Sequence, residues 1–70
     1  MTRADYKTNL QYRRALSGLS QSKLAEASGV SLRSIQEYEQ GRKPIKGVAG
    51  LTLYKLAKAL GVMIEDLLEL

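Results

Sequence analysis

Residues 19–41 read LSQSKLAEASGVSLRSIQEYEQG, from Leu19 to Gly41, and their reading decides the fold. Ser20 stands where a helix N-cap belongs, with a side-chain oxygen to offer an unpaired backbone N–H of the first turn. Leu24 and Ala25 then supply an apolar face, small enough at Ala25 for a second helix to approach closely. The spacing predicts a helix over about residues 21–28. Gly29 ends it, since glycine takes the left-handed conformation that the turn needs. Val30 can fold inward behind the turn, Ser31 offers a second N-cap oxygen, and the next helix starts at Leu32.

The faces of that second helix follow from about 100° of rotation per residue, taking Ile35 as the inward reference. Ser31, Leu32, Tyr38 and Glu39 flank Ile35. Opposite lie Arg33, Gln36, Glu37 and Gln40, an arc of long hydrogen-bonding side chains that would also suit a plain solvated helix. The arc gains weight from its company. A cap, a small residue, a glycine turn, a second cap and a polar-faced helix within about 20 residues make the helix-turn-helix pattern.

LSQSKLAEASGVS, followed by IQEYEQGRK and LYKLAKALGVMIEDLLEL, resembles the Cro/Xre class of bacterial and phage helix-turn-helix regulators, from roughly Leu10 to Leu68. Three separate segments match in the right order. The resemblance implies an all-α, compact five-helix, lambda-repressor-like domain filling residues 1–70, with the helix-turn-helix at helices 2 and 3, about residues 20–40. It also implies sequence-specific binding of double-stranded DNA, with transcriptional repression by a homodimer on a palindromic operator as the expected role. Two residues depart from the family pattern: Ser28 stands where alanine is frequent, and Met63 stands where a small capping residue is usual.

Composition excludes several other functions. Seventy residues without cysteine or histidine leave no disulfide, no thiolate or imidazole metal ligand and no imidazole base, so neither a cofactor nor enzymatic chemistry is expected. A core of this size is near the lower limit for a fold without staples. No apolar run approaches the roughly 20 residues of a membrane span, and the N-terminus MTRADYKTNL has no apolar signal region, so a cytoplasmic chain without membrane contact is expected. The formal charge of +4 comes from 11 basic and 7 acidic residues, unevenly placed. Lys7, Arg13, Arg14, Lys23, Arg33, Arg42, Lys43 and Lys46 make the first two thirds basic, whereas EDLLEL at the end carries three acids and no base. A polyanion would prefer the first two thirds.

In chain order, residues 1–4 are expected to fray, although Thr2 and Asp5 have the spacing of a capping box. Helix 1 is expected from near Asp5 to near Ser17, with an inward stripe of Tyr6, Leu10 and Arg14. A guanidinium there is out of place, and Glu39, one turn beyond Ile35 on the inward face, is out of place with the opposite sign. The two are expected to pair, and the family resemblance implies the same bridge. In helix 2, Gln21, Ser22 and Lys23 occupy the first turn, where free N–H groups and the positive dipole end favour a phosphate. The resemblance further implies that Gln21 binds a phosphate and braces the recognition helix.

The connection GRKPIK places Arg42, Lys43 and Lys46 on a loop facing the DNA backbone. Helix 4 is expected over residues 47–60, with Leu53, Leu56, Ala57 and Leu60 inward and Val48 and Leu51 nearby. A short helix 5 follows, with Ile64, Leu67 and Leu68 inward. Ser31, Leu32, Arg33, Gln36 and Glu37 are the candidates for reading base edges. Arg33 and Glu37 also have the spacing of an i,i+4 ion pair. Met63, Ile64, Leu67, Leu68 and Leu70 crowd more apolar surface onto the end of the chain than one short helix buries, which suits a homodimer interface. The same surface leaves open a rival from another class, a protein-interaction module of antitoxin or adaptor type that binds a partner protein. No small-molecule substrate is indicated.

Overall fold

In the computed structural model, which describes residues 2–69, the first α-helix starts later than the spacing predicts. Helix α1 spans Asn9–Ser17, because Thr8 holds the N-cap in an extended conformation and its Oγ1 accepts from Gln11 N at 3.2 Å. The Gln11 side chain returns to accept from Lys7 N at 2.9 Å. Asp5 Oδ2 does accept from Thr2 N at 2.9 Å, but that spacing closes only a single 3-10 turn, Arg3–Asp5, after which Tyr6 is extended. The Tyr6 ring packs on Tyr12 with centroids 5.6 Å apart. Arg3, expected to fray, is anchored instead: it donates to Asn9 Oδ1, to the Tyr6 carbonyl at 2.7 Å and to Glu69 Oε2 at 3.0 Å.

Helix α2 spans Gln21–Ser28 and α3 spans Leu32–Glu39, each opened by the serine expected to cap it. Ser20 accepts from Lys23 N at 3.0 Å and Ser31 from Ser34 N at 3.1 Å. Between them Gly29 has φ 75°, a conformation that would strain any residue with a Cβ. The Ser28 hydroxyl, buried where alanine is frequent in the family, accepts from Val30 N at 3.1 Å and so reinforces the turn.

Helix α4 spans Gly50–Leu60, three residues shorter at its start than expected. Residues Ile45–Gly47 form a separate 3-10 turn instead, led by Pro44, whose φ of −65° suits the entry. Ile45 drives this arrangement by burying its side chain in the core, a role the sequence reading did not give it. Leu51, expected near the inward stripe, is a separate correction: it lies on the far side of α4 from Leu60 and is 64 % exposed.

The expected fifth helix is a 3-10 turn, Ile64–Leu67, so the described residues contain four α-helices rather than five, and no strand. Two causes act together. Met63 offers no capping oxygen at its start, and the chain is captured at its end by α1, where Asn9 Nδ2 donates to the Leu68 carbonyl at 2.6 Å and the Glu69 carboxylate accepts from Asn9 N. Leu10, Leu24, Ile35, Leu56 and Leu67 are each at most 1 % exposed, and Val30, Ile45, Leu53 and Ala57 complete the core around them. Helix α2 packs on α3 and α4, and the final turn packs on α1 and α4. Each fully buried leucine or isoleucine contributes about 1.5–3 kcal/mol, so a fold of this size depends on all five large side chains.

Candidate nucleic-acid interface

The angle between α2 and α3 is fixed at one buried carboxylate. Glu39 is fully enclosed; its Oε2 accepts from Arg14 Nε at 2.6 Å and its Oε1 from Arg14 Nη2 at 3.0 Å, a bidentate fork. The remaining guanidinium nitrogen, Nη1, donates to the Leu19 carbonyl at 2.9 Å. Gln21 Nε2 adds a third donor to Glu39, 3.1 Å from Oε1, and the Thr8 hydroxyl donates to the Glu39 backbone carbonyl at 3.3 Å. One carboxylate therefore gathers α1, the first turn of α2 and the end of α3. Sequence reasoning missed Thr8; the T-x-x-Q spacing of Thr8 and Gln11, that of a capping box, signals its N-cap role, while its contact with the Glu39 carbonyl has no local signal. For Gln21, the bracing contact is present in its own right, and the half-buried side chain stays at the lip of α2.

With α3 so held, its outer face carries Ser31, Leu32, Arg33 and Gln36, all exposed, and Glu37, partly covered. Ser31 is occupied locally, its hydroxyl donating to Ser34 Oγ at 2.9 Å while capping the helix. Arg33 has no hydrogen-bond or ion-pair partner among the described residues, so its five donors face outward. The i,i+4 pair with Glu37 does not form. Glu37 instead faces Lys43, with Oε1 3.4 Å from Nζ. Arg33, Gln36, Glu37, Gln40 and Arg42 together line one shallow concavity.

The basic rim is set by the way α3 ends. Gly41 has φ 73°, which turns the chain back so that Arg42 N donates to the Glu37 carbonyl at 3.0 Å and Gly41 N to that of Tyr38 at 3.1 Å. This closure brings Arg42 and Lys43 alongside α3, with Lys46 two residues past Pro44, and all three are exposed. Ser22 and Lys23 are exposed on the first turn of α2, where Lys23 Nζ lies 3.8 Å from Glu26, a solvent-screened pair of little energy.

The residues expected at a two-fold interface divide. Leu67 is a correction: at 0 % exposure it belongs to the core and offers nothing to a second chain. Ile64 and Leu68 are half-buried, Met63 is 63 % exposed, and Leu70 lies outside the described residues. Met63 shares an open apolar hollow with Tyr54, Val62 and Ile64. Tyr54 and Leu51, one turn apart on the outer face of α4, are exposed apolar residues that sequence reasoning missed, as is Leu16 on α1.

Two capped helices across a left-handed glycine, with a polar outer face on the second, define a helix-turn-helix DNA-binding protein. The family comparison agrees: a helix-turn-helix family model of the Cro/C1 type matches residues 10–67, and the chain belongs to this family of DNA-binding regulators. No curated protein and no solved structure gives a significant match. Among the described residues, no helix is long and apolar enough to cross a membrane.

Proposed function

We propose that the chain is the DNA-binding domain of a transcriptional repressor that binds a palindromic operator as a homodimer, laying α3 in the major groove. The observation that carries this reading is the outer face of α3, where Arg33 stands without an intramolecular partner at the N-terminal end of the helix, beside Gln36 and Glu37. Arg33 has the fork that fits guanine O6 and N7, and Ser31, Leu32, Gln36 and Glu37 sit beside it to meet neighbouring base edges. Gln21, Ser22 and Lys23 from α2 and Arg42, Lys43 and Lys46 from the following segment bind phosphates and set the register.

A second copy placed through Met63, Ile64, Leu68 and the adjoining Tyr54 would present two α3 helices about one DNA turn, roughly 34 Å, apart. The exposed apolar hollow at Tyr54 and Met63 equally favours the second reading, a protein-interaction module of antitoxin or adaptor type whose partner covers that hollow. Selection of binding sites from random duplexes, followed by titration at two salt concentrations, separates the readings. A recovered palindrome with steep salt dependence supports the repressor; weak, salt-insensitive binding with no recovered motif refutes it.

A further inference from the structure

The face assigned to DNA has an anion near its middle. The Glu37 side chain is only 24 % exposed, lies 3.4 Å from Lys43, and shares its concavity with Arg33 and Arg42. Its pairing with Lys43 is built into the backbone. Arg42 N and Lys43 N both approach the Glu37 carbonyl, at 3.0 and 3.4 Å, so the segment carrying the ammonium is fixed beside the residue carrying the carboxylate. Two exposed residues on flexible stems would find each other only part of the time; here the end of α3 holds them together.

We propose that Glu37 determines specificity through Lys43, by penalising wrong sites rather than by adding affinity. This rests on the reading of α3 as the helix that enters the major groove. In the free protein Lys43 neutralises Glu37. Docking on any duplex draws Lys43 toward a phosphate, and the carboxylate is left facing base edges without its cation, in a contact that excludes water. A cytosine at that position offers its N4 amino group as the replacement donor, whereas adenine sets its N6 amino group beside the N7 acceptor, which repels the second carboxylate oxygen. Guanine and thymine present carbonyl acceptors to the carboxylate, and the lost ion pair is then uncompensated. Discrimination arises because one ammonium cannot fully serve a carboxylate and a phosphate at once.

Fluorescence anisotropy on the selected duplex and on a random duplex tests this with the full chain and three variants, Glu37→Gln, Lys43→Met and the double substitution, at two salt concentrations. Both side chains lie at the surface, so the core is untouched. Glu37→Gln is expected to bind the random duplex about two- to fivefold tighter, the range of an exposed ion pair, and to lose the preference for cytosine at one position. That gain is expected to vanish in the Lys43→Met background. A gain of the same size without Lys43 would overturn the inference and leave Glu37 as a plain repulsive charge. Unchanged affinity of Glu37→Gln for the random duplex would overturn it too. A wild-type chain that binds neither duplex at either salt would instead remove the groove reading, and the inference with it.

Discussion

Replacing Arg14 by methionine is expected to cost about 3–5 kcal/mol of folding stability, because it strips the fully enclosed Glu39 carboxylate of both prongs of its fork and leaves only the Gln21 amide. The reverse change is milder. Glu39→Gln keeps an acceptor for Gln21 and leaves Arg14, whose side chain is 18 % exposed, with the Leu19 carbonyl and some water, for a loss of about 1–3 kcal/mol. A domain of 70 residues has about 4–10 kcal/mol in total, so Arg14→Met removes a large share and lowers Tm by at least about 12 °C. Urea unfolding followed by far-UV circular dichroism, on Arg14→Met, Glu39→Leu and the Arg14→Met/Glu39→Leu double variant, completes a cycle. The double variant should lose less than the sum of the singles, since two apolar side chains leave no buried charge behind. Equal, additive losses below about 1 kcal/mol each would refute the account, because they would mean that the pair is solvated in solution.

Arg33→Ala is expected to weaken the selected operator by about 1–3 kcal/mol and flatten the preference at one base pair, whereas Lys46→Ala should weaken all duplexes alike and lower the salt slope by about 1, both read by anisotropy titration. Met63→Glu or Tyr54→Glu should weaken self-association in sedimentation experiments while far-UV dichroism stays native, since both side chains are more than half exposed. Leu67→Ala should cost about 2–5 kcal/mol in urea unfolding, so deleting the last four residues is expected to unfold the chain rather than simply split a dimer.

The helix-turn-helix was legible in the sequence because every signal for it is local. Ser20, Gly29 and Ser31 each act within three or four residues of their own position, and each was found in its expected role. The oddly placed Arg14 and Glu39 were legible for a different reason, as two violations of hydrophobic patterning with opposite sign. What escaped was set by contacts between distant parts of the chain. The start of α4 is set by the separate turn in which Ile45 reaches the core, the last turn stays short because α1 captures Leu68 and Glu69, and Lys43 takes Glu37 from Arg33 because Gly41 folds the chain back. On the proposed DNA-binding face, residue types and spacing gave the candidates, while the partnerships among them needed three dimensions.

The bonds of Glu69 to Asn9 and to Arg3 join residues 60 and 66 positions apart. They close nearly the whole chain into a ring, and ring closure over such a span costs the most chain entropy of any contact described. Side chains on both sides of this seam are partly exposed, at 38 % for Arg3 and 43 % for Glu69, so the seam is held weakly compared with the carboxylate hub at Glu39. The seam is therefore expected to part on its own, while Leu67 stays seated in the core and the helix pair braced by Arg14 stays intact. In hydrogen exchange the amide of Asn9 is therefore expected in the fast, sub-global class, and those inside α2 and α3 are expected to exchange only through deeper unfolding.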